Sequence, residues 1–473
     1  MKITLIQCPC AFGTEMPSLG LAYLSSYLKK NNYSVSILDL NIILYGKASQ
    51  KDKVYWKSSN GYHWYLIDSF SKLSFIDEPY YEECVNSILS LDSDILGFSI
   101  QNTSVLFTLE VIRRIKLKEP SRKIILGGPN CYNISGDDSD FKLHHGLEEF
   151  ADIIVIGEGE HVLSEVLSRI GSGEALDGSP GIAVPKNGRW VFNGAAAPIA
   201  DLDELPEPDL EAYDLNAYTD RNSLPVISSR GCVMRCVFCT DTYFWMAYRY
   251  RKAENVVAEI MRMRQEHHNG VVSFNDSLMN GNYDNFVRLC DLLIKKRVGV
   301  RWGGNCRVDK RVNRDLLKKM RRAGCEYLIL GLESASNRVL GMMRKGFTIE
   351  EASNFIRECA KSGISIVANW IVGFPGETEE DFMETAHFIS KYRKFISRNT
   401  FSTLTINQFS YLAKHKDEFG IVLKGPHLGL WNSLDGHNDI KLRNSRLRYL
   451  EDMENKINRD YGIVRQVGDD GSI

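Results

Sequence analysis

Three closely spaced cysteines are the residues of this sequence best suited to chemistry. Cys232, Cys236 and Cys239 lie in the segment SSRGCVMRCVFC, with three residues between the first pair and two between the second. Cysteine thiolates are the usual ligands of iron–sulfur clusters. Because three thiolates bind only three corners of a four-iron cluster, one iron would stay open to a small molecule. The spacing therefore predicts a 4Fe–4S cluster in which these cysteines are both the metal ligands and the catalytic centre.

A structural zinc site is the main alternative for the same cysteines. Such sites usually need four ligands, often supplied as two pairs of cysteines. No fourth ligand lies close to the triad in the sequence, although a distant residue such as Cys306 could complete a tetrahedral site. The spacing alone leaves the zinc alternative open, and the surrounding motifs favour the cluster.

Alternating strands and helices surround the cysteines and must position them. Residues 224–400 contain the strand-like segments PVISS, VVSFND, VGVRWGG, EYLILGLE and ISIVANWIVGF. This alternation favours a partial (β/α)6 barrel, in which functional loops follow the carboxyl ends of the strands. Residues 401–473 are mixed and contain a predicted helix at 442–460. We expect them to form a small, mainly helical region that caps the barrel and contacts substrate.

The motifs in residues 224–395 resemble the radical S-adenosylmethionine (SAM) superfamily. The resemblance is carried by CxxxCxxC and then, in order, by YRYRKAENVVAEI, FNDSLMN, WGGNCRVD, LILGLESAS and ANWIVGFPGET. It implies that SAM chelates the open iron and that an electron from the cluster breaks the S–C5′ bond, releasing a 5′-deoxyadenosyl radical. The cofactor-binding residues that it implies in this half of the chain are Phe238, Asp276, Arg307, Glu333, Ser334, Asn369, Gly373 and Pro375.

The first 195 residues contain a separate alternation of strands and helices. MKITLIQCP, SVSILDLN, DILGFSI, KIILGGPN and ADIIVIGEGE are apolar strand segments, and an amphipathic helix is predicted from Leu19 to Lys30. This order predicts a doubly wound, Rossmann-like parallel sheet. Ligands bind such sheets at the carboxyl ends of the strands. Residues 45–80 are aromatic and irregular, and the proline-rich, acidic residues 196–223 are predicted to be a linker between domains.

Short loops of small and polar residues follow these N-terminal strands. As an ordered set, MPSLG, SIQNTS, GGPN and GEGE resemble the cobalamin-binding domain that precedes many radical SAM barrels. The cofactor-binding residues that this resemblance implies are Pro17, Ser18, Ser99, Asn102, Thr103, Gly127, Gly128, Pro129, Gly157, Glu158, Gly159 and Glu160. The sequence lacks the DxHxxG motif that supplies a histidine beneath cobalt in methionine-synthase-type domains. The lower axial ligand therefore stays unassigned.

Together, the two resemblances imply a cobalamin-dependent radical SAM enzyme of the class B methylase type. Such an enzyme would transfer a methyl group from methylcobalamin to an unactivated carbon or phosphorus of a small-molecule, lipid or peptide substrate. One alternative is cobalamin-dependent rearrangement or ring chemistry without methyl transfer. Another is an iron–sulfur or cobalamin carrier, against which Glu333 and the GFPGE loop argue, because a carrier needs no SAM site. A methylthiotransferase is disfavoured because the N-terminal cysteines do not reproduce the second cluster motif of those enzymes.

Composition limits the partners and the cellular location that we expect. The 473-residue chain has a net charge of −2, so no strong field favours nucleic acid or an anionic membrane. No apolar run long enough to span a membrane is present, and the N-terminus does not match a signal peptide. Eleven scattered cysteines predict a reducing, cytoplasmic setting. An external electron donor of the flavodoxin or ferredoxin type is the implied protein partner, and the substrate and the oligomeric state stay open.

Overall fold

The computed structural model describes residues 1–131, 142–267, 270–407, 409–424 and 430–460. Two compact units make up this part of the chain. The first contains Met1–Ala200 and Glu204–Arg221, and the second contains Asp201–Asp203 and the residues from 222 onward. Parts of the expected capping region, 425–429 and 461–473, lie outside the described residues. Every helix in the described ranges is too short or too polar to cross a lipid bilayer.

The first unit is built on a seven-stranded sheet. Its strands are β1 (Lys2–Gln7), β2 (Ser34–Asp39), β3 (Ile95–Ser99), β4 (Lys123–Gly127), β5 (Ile153–Val155), β6 (Ile182–Lys186) and β7 (Arg189–Phe192). They lie in the order β2-β1-β3-β4-β5-β6-β7, with the first five parallel and the last two antiparallel. The chain changes direction across the sheet at β1, with β2 on one side and β3 on the other. Doubly wound sheets bind ligands at this kind of switch point, and the predicted Rossmann-like topology is confirmed.

Helices on both faces bury the parallel strands. They are α1 (Leu19–Lys30), α2 (Leu40–Lys47), α3 (Ile67–Phe70), α4 (Glu78–Leu89), α5 (Val105–Lys118) and α6 (Gly159–Ser172). Alternate residues of β1 enter different hydrophobic clusters, because successive side chains of a strand point to opposite faces. Leu5 packs with residues of α1 and α6, whereas Ile6 packs with residues of α4 and α5. Burial on both faces explains why these strands read as nearly continuous apolar runs.

The aromatic residues 45–80 add a buried layer to the same unit. They form two 3₁₀ turns, Asp52–Trp56 and Ser58–Trp64, followed by the short helix α3. Trp56 and Trp64 are buried. The indole of Trp56 donates to Asn41 Oδ1 at 2.9 Å, and that of Trp64 donates to the carbonyl of Tyr55 at 2.7 Å. Short 3₁₀ turns have no helical periodicity, so the sequence pattern did not reveal this layer.

Much of the segment that we expected to be a linker, 196–223, packs on the first unit. The hydroxyl of Tyr218 donates to Asp39 Oδ2 at 2.7 Å. The hydroxyl of Tyr213 donates to the carbonyl of Ser18 at 3.1 Å. These contacts fix residues 204–221 on the first unit, and the chain enters the second unit at 222.

The second unit is built on a six-stranded parallel sheet. Its strands are β8 (Ser223–Val226), β11 (Val271–Phe274), β12 (Arg301–Cys306), β13 (Cys325–Glu333), β14 (Ser365–Val372) and β15 (Arg398–Thr403). Two short strands, β9 (Ser229–Arg230) and β10 (Arg249–Tyr250), form a separate antiparallel pair. The sheet order is β15-β14-β13-β12-β11-β8, so neighbours in sequence are neighbours in space. The strand carboxyl ends therefore share one edge. This open α/β arrangement confirms the expected fold class, although the sequence analysis did not identify the polar edge strand β15.

Helices and a C-terminal hairpin surround this sheet. They are α7 (Asp241–Phe244), α8 (Ala253–His267), α9 (Tyr283–Lys295), α10 (Arg314–Arg322), α11 (Asn337–Met343), α12 (Ile349–Lys361), α13 (Glu379–Tyr392), α14 (Tyr411–Lys414), β16 (Ile421–Leu423), β17 (Trp431–Ser433) and α15 (Ile440–Asp460). Thr378 and Asp381 form a capping box that begins α13 directly after the GFPGE loop. The helix predicted at 442–460 corresponds to α15. Residues of this C-terminal part, including Leu412 and Trp431, pack in one hydrophobic cluster with Val237 and Phe374.

Candidate active site

The three predicted cluster cysteines lie in one loop between β9 and α7. All three thiols are free and half-buried. Within the loop, the amide of Cys239 donates to the carbonyl of Cys236 at 3.1 Å. The amide of Met234 donates to Cys232 Sγ at 3.4 Å. The loop is thus folded on itself with its thiols close to the surface.

Two neighbouring segments hold the cysteine loop in place through Val237. The amide of Val237 donates to the carbonyl of Met343, at the end of α11, at 3.2 Å. Its carbonyl accepts from the amide of Leu412, in α14, at 3.0 Å. The side chain of Val237 is buried in the C-terminal hydrophobic cluster. The residue between the last two cysteines is therefore fixed by its backbone and by its side chain.

A buried ion pair lies beside this loop. Lys345 Nζ is 3.2 Å from Glu333 Oε1, and the two side chains are 12% and 10% exposed. The same ammonium lies 5.7 Å from the centroid of the Phe238 ring. Burial alone would lower the pKa of Lys345, but the charges of Glu333 and of the Cys236 thiolate outweigh it and raise that pKa. A protonated lysine therefore stands next to the triad.

Glu333 has an unusual backbone conformation. Its φ is 65°, in the left-handed region that residues with a side chain rarely adopt. The pairing register between β13 and β14 shifts between Gly331 and Glu333, which marks a bulge at the carboxyl end of β13. Such strain is concentrated at functional sites. The bulge directs the predicted SAM ligand toward Lys345.

Arg307 contacts the cysteine loop from the end of β12. Its Nη1 lies 2.9 Å from Met234 Sδ. Asn280 fixes the backbone of Arg307 on both sides: Oδ1 accepts from the Arg307 amide at 3.1 Å, and Nδ2 donates to its carbonyl at 3.2 Å. The structure therefore brings Arg307 and the cysteine loop together.

Charges around the loop act on the thiols in both directions: Asp241 raises the pKa of Cys232 and Cys239, whereas nearby cations lower that of Cys232 and Cys236. Burial raises the pKa of all three thiols, and that of Cys239 reaches about 12. Lys345 opposes this rise at Cys232 and Cys236, and Arg307 opposes it at Cys232. Binding of iron must displace the thiol protons. The two neighbouring cations reduce the cost of that displacement at Cys232 and Cys236.

Asp276 is directed into the protein. It is 1% exposed, and it accepts hydrogen bonds from the Ser228 amide at 3.1 Å and the Ser228 hydroxyl at 2.7 Å. The hydroxyl of Ser229 also donates to it. Burial raises the pKa of Asp276, and these hydrogen bonds oppose the rise. In this structure Asp276 anchors the strand that leads into the cysteine loop.

Ser334 and Asn369 lie near the same strand ends. Ser334 is fully buried, with its Oγ 3.3 Å from Thr385 Oγ1, and it accepts from the amide of Ser336 at 3.1 Å. Asn369 is a half-buried residue of β14 that pairs with Gly331 of β13. Ser334 thus supports the loop after Glu333, whereas Asn369 lies one strand away from that loop.

The GFPGE loop follows β14 and is tightly folded. The amide of Gly373 donates to Glu377 Oε2 at 2.9 Å, and the amide of Glu377 donates to the carbonyl of Phe374 at 2.9 Å. Gly373 has φ +81°, and Pro375 is buried. Glu377 is also buried, and burial raises the pKa of its carboxyl group to about 7. The loop is therefore organised by one of its own side chains.

In the first unit, the loops after β3 and β4 pack against each other. The amide of Ile100 donates to the carbonyl of Gly127 at 2.7 Å, and the amide of Asn130 donates to the carbonyl of Ile100 at 3.1 Å. A Cβ at Gly128 would lie 2.8 Å from Ile100 N, so the close approach requires glycine. Ser99 is half-buried beside this turn, and Pro129 is exposed.

Other residues of the implied cobalamin set have structural partners. The carbonyl of Ser18 accepts from the amide of Ala22 at the start of α1, and Pro17 beside it is buried. Thr103 Oγ1 accepts from the amide of Ala11 at 3.2 Å. Asn102 lies half-buried in the same 3₁₀ turn. Thr103 thus joins the loops after β1 and β3.

The GEGE loop follows β5 and begins α6. Glu158 Oε2 accepts from the amide of Ile199 at 3.0 Å. Gly159 is the first residue of α6, and Glu160 is buried in its first turn. Gly157 has φ +91°, and no atom lies within 4 Å of where its Cβ would be. The space beside Gly157 is open, whereas Glu158 is bonded within its own unit.

Two buried amides in the first unit were missed by the sequence analysis. Gln7 ends β1 and is 3% exposed, and its Oε1 has no hydrogen-bond partner among the described residues. Asn130 follows β4, and its Nδ2 is buried and, within the same residues, also without a partner. Buried polar atoms are normally satisfied. Polar residues at strand carboxyl ends were the available signal, and their free groups suit a polar ligand.

The donor set fits an iron–sulfur cluster better than a single metal ion. Among the described residues, no three His, Cys, Asp or Glu side chains converge on one ion. In a 4Fe–4S cluster each cysteine binds a different iron, so the thiols need not converge on one point. Cys306, the possible fourth zinc ligand, is buried, and its Sγ lies 3.5 Å from the carbonyl of Arg307. Three half-buried thiols beside two cations therefore fit the cluster.

Comparisons with known proteins identify relatives of this chain. Residues 226–389 match the family model for the radical SAM superfamily. An uncharacterized methyltransferase of Pyrococcus horikoshii is 26% identical over 404 residues, which cover 83% of this chain and 78% of that protein. The anaerobic magnesium-protoporphyrin IX monomethyl ester cyclase of Rubrivivax gelatinosus is 32% identical over 308 residues. That match covers 63% of this chain and 54% of the cyclase, so the chain spans about half the length of that relative.

A solved structure has a similar fold. The radical SAM methyltransferase TsrM of Kitasatospora setae, determined with cobalamin and a [4Fe–4S] cluster bound, superposes with a TM-score of 0.66 at 18% identity. The match covers 90% of this chain and 76% of TsrM. Residues 226–389 therefore form a radical SAM domain, the kind of domain whose cofactors are a 4Fe–4S cluster and SAM. Because the match to TsrM covers 90% of this chain, the shared fold also includes most of the N-terminal doubly wound unit.

Proposed function

We propose that this enzyme transfers a methyl group from methylcobalamin to an unactivated carbon or phosphorus of a small-molecule, lipid or peptide substrate. One observation carries the proposal. The same chain contains the cysteine loop with its Lys345–Glu333 pair and, in the first unit, a doubly wound sheet whose strand carboxyl ends are suited to bind a ligand. That edge contains glycine turns and two buried polar atoms, Gln7 Oε1 and Asn130 Nδ2, which have no hydrogen-bond partner among the described residues. A second cofactor needs such an edge, and the TsrM-like fold supports the choice of cobalamin.

The cysteine loop would hold the cluster, and its neighbours would hold SAM. When bound to Cys232, Cys236 and Cys239, the cluster supplies the electron that cleaves SAM to a 5′-deoxyadenosyl radical. Lys345 would bind the carboxylate of SAM and Glu333 its amino group. Each member of the buried pair would then exchange one partner for another, which avoids leaving a buried charge unpaired.

The remaining residues of the second unit would orient SAM around this pair. The apolar part of the GFPGE loop, with Gly373 and Pro375, would contact the adenine. Phe238 and Arg307 would border the cluster, and Asn369 would line the strand ends. Asp276 and Ser334 would act indirectly, because their side chains are bonded within the protein.

The loops of the first unit would hold cobalamin, which supplies the methyl group when bound. Backbone amides at Ser99, Gly127 and Gly157 would approach the cofactor closely, because glycine turns leave room for it. Gln7 Oε1 and Asn130 Nδ2 would satisfy their hydrogen bonds on its polar groups. The implied residues Pro17, Ser18, Asn102, Thr103, Gly128, Pro129, Glu158, Gly159 and Glu160 would shape these loops.

Cobalamin-dependent ring chemistry without methyl transfer is the second candidate. It is favoured by the 32% identity to a cyclase, which is higher than the identity to the Pyrococcus methyltransferase. Both candidates use the same cysteines and SAM residues. They differ in the fate of SAM, because only methyl transfer produces S-adenosylhomocysteine together with product.

Two partners follow from the chemistry. Reductive cleavage of SAM requires a one-electron donor, which we propose to be a flavodoxin or ferredoxin in a reducing cytoplasm. Residues 45–80 and the described part of the C-terminal region would select the substrate.

One spectrum tests the two-cofactor proposal. The protein is reconstituted anaerobically with iron, sulfide and hydroxocobalamin, desalted, and examined by ultraviolet–visible absorbance. Retention of cluster and cobalamin bands near one per chain is the expected result. Retention of the cluster with loss of cobalamin would overturn the methylcobalamin proposal. Chromatography of SAM-derived products then separates the two candidates by the presence or absence of S-adenosylhomocysteine.

A further inference from the structure

The C-terminal segment 431–446 lies outside the radical SAM motifs, but its side chains hold the GFPGE loop in place. Asn438 Nδ2 donates to the carbonyl of Gly373 at 3.0 Å and to that of Phe374 at 3.3 Å. The amide of Gly373 donates to Glu377 Oε2 at 2.9 Å. Both backbone polar groups of Gly373 are therefore fixed by side chains, one from the loop itself and one from the C-terminal segment.

Arg446 of α15 holds the other end of the loop. Its Nη1 lies 2.7 Å from Glu377 Oε2, the same oxygen that accepts from Gly373. The side chains of Arg446 and Glu377 are 6% and 2% exposed. Arg446 Nη2 also reaches Glu379 Oε2 at 2.9 Å, but the Glu379 side chain is 64% exposed. The arginine thus makes one buried contact with the loop and one surface contact outside it.

Arg443 closes the remaining side of the loop. A Cβ built at Gly373 would lie 2.3 Å from Arg443 Cγ, so α15 packs directly on the glycine. Arg443 is fully buried, and its Nη2 donates to the carbonyl of Trp431 at 2.8 Å. Its Nη1 donates to Asn438 Oδ1 at 3.2 Å. Arg443 therefore keeps Asn438 oriented toward the loop.

We propose that Asn438 and Arg446 are positioning residues for SAM, which fix the GFPGE loop in the conformation that receives the adenine. The inference rests on the proposed function, because it takes this loop to be the adenine site. A loop ordered before the ligand arrives does not lose conformational freedom on binding, so affinity is higher. The C-terminal segment then controls SAM affinity without touching SAM or the cluster ligands.

Two variants and a matched control test this inference in the full-length, cluster-loaded protein. Asn438→Asp is isosteric: it removes the amide donor to Gly373 and Phe374 and keeps the oxygen that accepts from Arg443. Arg446→Met removes the buried contact with Glu377. Glu379→Gln is the control, because it weakens only the exposed contact of Arg446.

The expected result is a change in SAM affinity alone. The dissociation constant for SAM, measured by anaerobic equilibrium dialysis, should rise about tenfold in Asn438→Asp and in Arg446→Met, in line with the loss of buried hydrogen bonds. The KM for SAM in uncoupled SAM cleavage should rise similarly, while kcat stays within twofold. Arg446→Lys should restore part of the affinity, and Glu379→Gln should stay within twofold of wild type.

The outcomes separate the inference from the proposed function. If wild-type protein with a full cluster does not bind SAM, the SAM site itself is wrong. If wild type binds SAM and both variants bind it within twofold, the positioning role is wrong. Melting temperature and cluster absorbance are recorded for each variant. If Arg446→Met has a lower melting temperature or a weaker cluster absorbance than wild type, the SAM affinity of the isosteric Asn438→Asp variant alone decides whether the positioning role is correct.

Discussion

The ammonium of Lys345 lies 3.2 Å from the carboxylate of Glu333, and both side chains are almost completely buried. Glu333 ends β13, whereas Lys345 follows α11 by two residues, so the intervening helix folds back to bring them together. At the end of the same helix, the carbonyl of Met343 accepts a hydrogen bond from the amide of Val237 in the cysteine loop. The pair and the cysteine motif are therefore parts of one local structure.

Lys345→Met should weaken SAM binding and destabilise the second unit. The substitution leaves Glu333 buried without its cation, which typically costs about 3–5 kcal/mol when one partner of a buried pair is removed. We expect a lower melting temperature and at least a tenfold higher dissociation constant for SAM, measured by dialysis on the cluster-loaded protein.

Lys310→Met is the matched control for the lysine variant. Lys310 is also paired with a glutamate, Glu351 at 2.8 Å, but its side chain is 80% exposed. Exposed pairs contribute about 0–1 kcal/mol. The control should behave like wild type, and an equal effect of both variants would contradict a specific role for Lys345.

Each cysteine of the triad should be required for the cluster, and Cys306 should not. Cys232→Ala, Cys236→Ala and Cys239→Ala should lose most of the iron and the visible absorbance after reconstitution, because each removes one iron ligand. Cys306→Ala should retain both. Loss of bound metal in Cys306→Ala, with zinc rather than iron bound to the wild type, would support the four-ligand zinc alternative instead.

Asp276→Asn distinguishes an anchoring role from direct cofactor binding. The amide nitrogen of asparagine would face the donors Ser228 and Ser229, so we expect a loss of about 1–3 kcal/mol in stability. Melting temperature and iron content should fall together. Wild-type melting temperature and iron content with weak SAM binding would contradict the anchoring role and would make Asp276 a direct ligand.

The sequence pattern was sufficient for the two parallel sheets and for the cysteine motif. Strands buried on both faces are continuous apolar runs, and the spacing of Cys232, Cys236 and Cys239 is a local property of the chain. Long-range side-chain partners could not be read in this way. Lys345 looks like an ordinary helix-end cation in the sequence, and only the turn after α11 brings it to Glu333.

Other differences between the sequence-based predictions and the structure have similar physical reasons. Asp276 follows a strand, at a position typical of ligand-binding residues. Its carboxylate instead accepts hydrogen bonds from the hydroxyls of Ser228 and Ser229. The strand β15 is polar because it lies at the sheet edge, so it lacks the apolar signature of its neighbours. The contacts of Asn438 and Arg446 with the GFPGE loop link residues more than 60 positions apart, which no local pattern encodes.

Glu377→Gln should remove a pH dependence of stability that arises from one buried carboxyl group. Burial raises the pKa of Glu377 from its ordinary value of 4.5 to about 7, opposed by the Gly373 amide and Arg446, while Asp381 adds to the rise. The folded state therefore favours the neutral form. The contribution of this group to stability is complete below pH 4.5 and is lost as the pH rises through 7.

The variant should therefore gain stability relative to wild type only at higher pH. At pH 4 the carboxyl group is mostly protonated in both the folded and the unfolded chain and resembles glutamine, so the two proteins should melt together. Between the unfolded-state pKa of 4.5 and the folded-state pKa of about 7, the wild type loses about 1.4 kcal/mol per pH unit, so at pH 8 it is less stable than the variant by about 3 kcal/mol. For a unit of this size, the variant should melt roughly 6–12 °C higher than wild type at pH 8. Calorimetry of both proteins without cofactors at the two pH values measures this difference, and a difference that is the same at both would mean that Glu377 does not titrate in this range.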